Sequence, residues 1–374
     1  MKTKGAILHG VGQEWKVEEF ELGDPVSGEV QVRLAASGLC HSDYHFRTGD
    51  LVPAFFPLLA GHEGAGVVTK LGRGVEGLEE GDHVVLAFVP SCGICRMCSR
   101  GRQNLCDRGA DNSTGLSVDG TYRASCQGSP LNRVSGLGTF APYVTAHQSS
   151  IVKIEKDIPL NRAVLLGCGV PTGWGSAVSA GGVQAGDTVV VVGIGGIGIN
   201  AVQGAANAGA RFVIAVDPVE KKRTEALKLG ATHAFTSIQD VAEQLPELTW
   251  GTLSDVTILT PGLVEPEMIQ EALDITGKGG TVVLTGLANM MTQGVPLNTT
   301  MFAMYEKRLQ GTVFGGASPR TQIPKLLNLY RSGILHLDEL VTRTYAHDQI
   351  NEGYADMLDG HNLRGIIEYT DADY

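Results

Sequence analysis

Hydrophobic and polar positions alternate in short runs along residues 1–160. Glu29–Leu34 (EVQVRL) and Gly66–Lys70 (GVVTK) are representative, each bounded by Gly, Pro or Asp turns. A period of two puts every other side chain on one face, so this region predicts half-buried β-strands. Pro90–Cys106 interrupts the pattern with a compact cysteine segment. Residues 107–142 follow as a long stretch rich in Gly, Ser and Asn with little periodicity, and a connection of that length is either functional or mobile. From about Thr172 the texture changes. Val189–Val192 is a continuous β-branched run, as a strand buried on both faces requires. The pattern then predicts a helix over Ile197–Ala208, a strand over Phe212–Val216 and a helix over Val219–Leu229. Asp255–Leu259 and Thr281–Leu284 read as further strands. Strands alternating with helices predict right-handed crossovers and a parallel sheet. Beyond about Thr312 the pattern becomes short and mixed.

Composition and charge narrow the class. The chain has 374 residues, 43% hydrophobic and 18% charged. Two or three domains with real cores are expected, and global disorder is excluded. The 50 glycines, about 13% of the chain, run near twice the usual ~7% and imply many tight turns. A net charge of −11 argues against a nucleic-acid partner and against an anionic membrane surface. The apolar run near the N-terminus is too short for a signal peptide. The uncharged stretch Thr188–Ala210 is a membrane decoy, because its glycines and Asn200, Gln203 and Asn207 suit a strand, turn and helix better. The chain is therefore expected in the cytoplasm, where its seven cysteines stay reduced and their clusters point to metal or catalysis.

Two motifs carry chemistry by spacing alone. Gly193-Ile194-Gly195-Gly196-Ile197-Gly198 fits G-x-G-x-x-G between a predicted strand and a predicted helix. Gly193 permits the turn, Gly195 lets backbone approach a pyrophosphate, and Gly198 lets helix pack on strand. The helix N-terminus then offers unpaired N–H groups to the phosphates. Asp217, nineteen residues past Gly198, sits where a carboxylate takes hydrogen bonds from ribose hydroxyls and repels a 2′-phosphate, so NAD is favoured over NADP. Lys222 is placed to reach the same ribose. The alternative is a plain α/β turn with a capping Asp. Cys92-x2-Cys95-x2-Cys98-x7-Cys106 packs four thiols into fifteen residues. Four thiolates close a tetrahedral zinc shell with no open position, so this metal is structural. A redox dithiol and a nucleic-acid zinc ribbon are the competing readings, opposed by the reducing compartment and the acidic chain.

Cys40 lies in GLCHSDYH (38–45), His62 in GHEGAG (61–66) and Cys168 in GCGVPTGWGSAV (167–178). Two thiolates and an imidazole would make a zinc site with one position open. Spacings of 22 and 106 residues do not prove it, and isolated Cys and His are more often buried structural residues. Taken with the four-cysteine segment, GIGGIG (193–198) and VD (216–217), these stretches resemble the zinc-dependent medium-chain alcohol dehydrogenases over essentially the whole chain. Length and the 107–142 stretch look most like the glutathione-dependent (class III) and nicotinoprotein (NDMA-dependent) branches.

The resemblance implies an α/β protein of three stretches. Residues 1–169 would be a mostly β, GroES-like catalytic domain carrying the four-cysteine zinc lobe. Residues 170–312 would be a Rossmann NAD-binding domain, doubly wound around a parallel sheet. Residues 313–374 would return to the catalytic domain. It implies Cys40, His62 and Cys168 as ligands of a catalytic zinc, Asp43 as the carboxylate orienting the ligand imidazole, and Glu63 beside the metal, entering its shell during ligand exchange. Ser42 would hydrogen-bond the alcohol and His45 would pass its proton to solvent. Read without the family, Ser42 caps a turn and His45 is a solvated surface residue as readily. Thr172 would touch the nicotinamide, and Arg364 would neutralise pyrophosphate. His41 stands where many relatives carry Arg for that phosphate. Phe88 would wall the pocket. Cofactors would be NAD(H) and two Zn2+ per chain, and the substrate a small alcohol or aldehyde in a water-excluding cleft. A homodimer or homotetramer is expected by analogy. Two enzymatic rivals remain. One is a thiol-dependent formaldehyde dehydrogenase, for which Arg123 and Arg133 are candidate anion-binding groups. The other is a nicotinoprotein that keeps its NAD(H) and passes electrons to a second substrate or acceptor protein. A non-catalytic NAD-binding protein is opposed by the intact ligand and relay set. Cys126 falls outside every motif.

Overall fold

The computed structural model describes residues 1–112, 114–117 and 119–374. The chain divides into two compact units, Met1–Cys168 with Ser318–Tyr374, and Gly169–Ala317.

The second unit is built on a parallel sheet. Its strands lie in the order His233–Phe235, Phe212–Val216, Thr188–Val192, Ser254–Leu259, Thr276–Leu284, Arg308–Gly311. In chain order that is 3-2-1-4-5-6, the dinucleotide-binding arrangement. Thr188–Val192 is central and buried at every residue, which is why it reads as an unbroken β-branched run. Helices Gly198–Asn207, Glu220–Lys228, Ile238–Leu248 and Pro266–Asp274 connect the strands. Val190, Ile214, Val241, Leu245, Leu259 and Leu273 belong to one buried core within this unit. The membrane decoy Thr188–Ala210 is the first strand, the turn and the first crossover helix. Among the described residues, no single helix is long and apolar enough to cross a membrane.

The first unit holds two mostly antiparallel sheets. In one, Lys2–Leu8 and Lys16–Leu22 pair with the short strands Leu58–Leu59 and Ala124–Cys126. In the other, Glu29–Gly38 is central, flanked by Gly64–Leu71, Tyr143–His147 and Arg364–Glu368. The strand predicted over Glu29–Leu34 continues to Gly38 through a register irregularity between Leu34 and Ala36. That extension positions the site. Ser37 pairs with Gly64 and Gly38 with Ile366, so the ends of three strands meet beside Cys40.

The 107–142 stretch is not a bare loop. It contributes the short strands Ala124–Cys126 and Asn132–Arg133, and its arginines turn inward. Arg123 is 8% exposed, with Nε 2.7 Å from Glu29. Arg133 is 2% exposed and donates to the Thr145 carbonyl. Burial pulls the Arg133 guanidinium down to about 10, against the attraction of Glu29. These contacts anchor the stretch onto the Glu29–Gly38 sheet.

Candidate active site

Cys40 caps the start of the helix His41–Thr48, directly after the central strand. Gly38 N–H donates to the Glu63 carbonyl at 3.2 Å, which ties this strand end to the His62–Glu63 segment. A Cβ at 38 would lie 1.9 Å from Glu63 Oε2, so any larger residue there would displace the Glu63 carboxylate. Cys168 joins them at the end of the first unit. One ligand atom from each of Cys40, His62, Glu63 and Cys168 lies within 4.8 Å of the others, and all four residues are buried.

The electrostatics fit a divalent cation. The Cys168 thiol, hydrogen-bonded to Cys40, holds Cys40 well below the ordinary thiol range despite burial, and the His62 charge adds to this. The same bond, reinforced by burial, pushes Cys168 well up. Burial opposes a charge on His62, yet Asp43 and the Cys40 thiolate hold its pKa well above the usual imidazole value. Cys168 and His62 therefore hold protons that a metal ion would displace, while Cys40 is poised as the thiolate. Asp43 is fully buried, with Oδ2 2.9 Å from His62 Nδ1 and Oδ1 accepting from Gly61 N–H at 2.9 Å. With Nδ1 so engaged, Nε2 is the ring's metal-facing nitrogen. Phe88 stands edge-on to His62, centroids 5.6 Å apart.

Glu63 does not sit alone beside the ligands. Its Oε2 accepts from Arg364 Nη2 in an ion pair with side chains 0% and 5% exposed. Among the described residues, Arg364 Nε is buried without a hydrogen-bond partner. Ser42 Oγ lies 3.6 Å from Cys40 Sγ. His45, three residues on, is 3% exposed, and its ring centroid is 4.9 Å from that of His41.

The four-cysteine segment forms a second cluster, again within 4.8 Å. Cys92 and Cys98 Sγ are 3.9 Å apart, as are Cys95 and Cys106. Tetrahedral Zn–S bonds of ≈ 2.3 Å put sulfurs about 3.8 Å apart, so the spacing suits zinc and is far too long for a disulfide. Backbone N–H groups of Cys92, Cys95, Cys98 and Asp107 point at these sulfurs at 3.4–3.5 Å and favour thiolates. Burial works against it, yet the N–H groups of Ile94 and Cys95 bring Cys92 down to about 6.

In the second unit the glycine motif behaves as its spacing predicts. A Cβ at Gly198 would lie 1.9 Å from the Gly193 carbonyl, whereas one at Gly195 would meet nothing within 4 Å. The backbone at Gly195 therefore faces space that a pyrophosphate can use. Asp217 is buried at the end of its strand and accepts from Ile194 N–H at 2.8 Å and Val219 N–H at 2.9 Å. Lys222 Nζ is 4.0 Å from its Oδ2. Thr172 Oγ1 is buried without a hydrogen-bond partner among the described residues, an orphan that a cofactor amide or hydroxyl would satisfy. Sequence reasoning passed over Arg223, whose Nη1 holds the Asp217 carbonyl at 2.7 Å. It also passed over Asp50, which contacts His45. Neither stands in a recognisable motif.

Comparison with known proteins matches this geometry. Residues 26–156 fit the alcohol dehydrogenase GroES-like domain, and residues 196–332 fit the zinc-binding dehydrogenase family. The chain is 52% identical over 370 residues to an NDMA-dependent alcohol dehydrogenase of Amycolatopsis methanolica, covering 99% of this chain and 100% of the relative. It is 35% identical to an S-(hydroxymethyl)glutathione dehydrogenase of Komagataella pastoris, covering 98% and 97%. The crystal structure of benzyl alcohol dehydrogenase from Acinetobacter calcoaceticus superposes with a TM-score of 0.92 at 30% identity, covering 99% and 100%. With a doubly wound nucleotide-binding unit, a four-thiol cluster and a buried cluster of Cys40, His62, Glu63 and Cys168 on one chain, the protein belongs to the zinc-dependent alcohol dehydrogenase family.

Proposed function

We propose that this enzyme oxidises a primary alcohol to its aldehyde, and runs the reverse, at the cluster of Cys40, His62 and Cys168. The buried, mutually adjacent thiols and imidazole carry the reading, since a three-residue set leaves a fourth position for substrate. Bound zinc supplies Lewis-acid polarisation of the alcohol oxygen, and bound NAD accepts the hydride from the carbinol carbon. The chain's own residues do the rest. Asp43 fixes the His62 ring. Arg364 holds Glu63 beside the ligands, neutralised until ligand exchange calls on it. Ser42 takes the alcohol proton and His45 passes it to solvent. Asp217, Lys222, Thr172 and the backbone at 193–198 hold the cofactor, with His41 and Arg364 as the cations of the first unit assigned to its phosphates. Cys92, Cys95, Cys98 and Cys106 hold the structural zinc.

Within this chemistry we favour the nicotinoprotein cycle, in which NAD(H) stays bound and an electron acceptor recycles it. Identity is 52% to the NDMA-dependent relative against 35% to the glutathione-linked one. The edge strand Arg308–Gly311 is exposed at all four residues, and the same unit exposes Met290, Met291 and Met304. An open edge of this kind supports a homodimer or homotetramer built on a second copy. Seven free thiols suit a cytoplasmic setting. The test is an absorbance spectrum of the desalted protein, before and after a primary alcohol is added without NAD. A near-ultraviolet reduced-nicotinamide band that grows with alcohol supports captive cofactor. No band in either spectrum, with turnover on added NAD, overturns the nicotinoprotein reading and leaves an ordinary dehydrogenase.

A further inference from the structure

The helix His41–Thr48 ends in a turn that serves His45. Gly49 adopts φ 84°, ψ 10°, the left-handed conformation that closes helices without a Cβ penalty. The N–H groups of Gly49 and Leu51 both donate to the His45 carbonyl, at 3.0 and 3.1 Å. This closure folds the chain back over the last helical turn and sets Asp50 against the ring. Asp50 Oδ2 lies 3.1 Å from His45 Nδ1 and accepts from Thr48 Oγ1 at 2.5 Å. The His45 side chain is 3% exposed and that of Asp50 20%, so water competes weakly for the contact.

We propose that Asp50 is the positioning residue of the proton path, accepting the Nδ1–H of His45 so that Nε2 is the nitrogen that takes up the substrate's proton. The inference rests on the reading of Ser42 and His45 as the relay. A neutral imidazole has one N–H and one lone pair, and a partner at one nitrogen decides which is which. Without an acceptor at Nδ1 the proton divides between the two nitrogens, and the fraction on Nε2 cannot accept. As the alcohol's proton leaves through Ser42 and reaches His45 Nε2, the ring becomes an imidazolium. The Asp50 carboxylate, 3.1 Å from Nδ1, faces that charge and offsets it. Nε2 then releases the proton to water and the neutral Nδ1–H ring returns. His41, 4.9 Å away centroid to centroid, is a second ring whose charge would oppose the imidazolium, which gives the carboxylate further work.

The experiment is a double-mutant cycle with a spectroscopic readout, all on the zinc-loaded full chain. Asp50→Ala should lower kcat roughly ten- to a hundredfold with KM nearly unchanged, and never below His45→Gln. Asp50→Ala in the His45→Gln background should change nothing further, because an orienting group has no effect once its ring is gone. In 15N-histidine-labelled protein, long-range 1H–15N correlations should show His45 as the Nδ1–H tautomer in wild type and a mixture in Asp50→Ala. Asp50→Asn keeps an acceptor oxygen, so it should preserve the tautomer, fall between the two in kcat, and carry the test if the alanine variant does not fold. Three results would overturn the proposal: kcat within twofold of wild type in Asp50→Ala, losses that multiply in the double variant, or an unchanged His45 tautomer. A wild-type kcat in His45→Gln would instead refute the relay reading itself.

Discussion

Removing the Arg364 guanidinium should expose how the site holds Glu63. In Arg364→Met the Glu63 carboxylate stays fully buried, among two thiols and an imidazole, with the Arg364 guanidinium gone. Breaking a buried ion pair from one side typically costs 3–5 kcal/mol, because the remaining charge keeps its desolvation penalty. Both partners lie in the first unit, which comprises about 225 residues. For domains of that size 1 kcal/mol shifts Tm by about 2–4 °C, so the loss should be about 6–20 °C. Glu63→Gln with Arg364→Met removes both charges at nearly constant shape and should recover most of that loss. Calorimetry on zinc-loaded protein reads the shift directly. An Arg364→Met variant melting within about 2 °C of wild type would refute the reasoning. So would a double variant melting lower than the single one, since the pair would then contribute through something other than mutual neutralisation.

Further expectations are independent of that pair. Cys98→Ser should bind one zinc fewer by elemental analysis and melt lower, because three thiolates do not close the shell. Ser42→Ala should lose about 10²–10⁴ in turnover with zinc content unchanged, and near-normal turnover would remove Ser42 from the relay. Asp217→Ser should admit NADP in a cofactor-exchange assay, because the carboxylate that repels a 2′-phosphate is gone, at the expense of the Ile194 and Val219 contacts. His147 supplies a pH dependence. Burial, aided by Arg108, depresses its pKa to about 4 from the ordinary 6.5, so the unfolded chain binds the proton first. Its contribution to stability is present above about pH 6.5 and is lost as pH falls toward 4. Thermal melts from pH 7.5 to 4.5 should therefore decline less steeply in His147→Gln than in wild type.

Local patterns were legible where a segment satisfies itself. The β-branched run 189–192 is buried on both faces, and the glycine at 198 answers to the Gly193 carbonyl five residues before it. The four cysteines announce their cluster because all its ligands lie within one short segment. What escaped depends on distant partners. The edge strands His233–Phe235 and Arg308–Gly311 carry no alternation, since neither has a buried face to encode. Arg364–Glu368 is a strand because Glu29–Gly38 offers it an edge, and the Glu63–Arg364 pair spans 301 residues. The polar 107–142 stretch reads as loop because its order comes from Arg123 and Arg133 reaching into the sheet, not from periodicity. The catalytic cluster itself came from family resemblance, and only the strand register beside Gly38 explains why Cys40 meets His62.

The most direct test of the account is an anomalous difference map collected at the zinc edge from crystals grown without chelator. The account predicts two peaks per chain, one bonded to Cys40 Sγ, His62 Nε2 and Cys168 Sγ with a non-protein fourth ligand, and one bonded to all four sulfurs of Cys92, Cys95, Cys98 and Cys106. A single peak at the four-cysteine cluster, in protein that still oxidises alcohol, would contradict the assignment of catalysis to Cys40, His62 and Cys168.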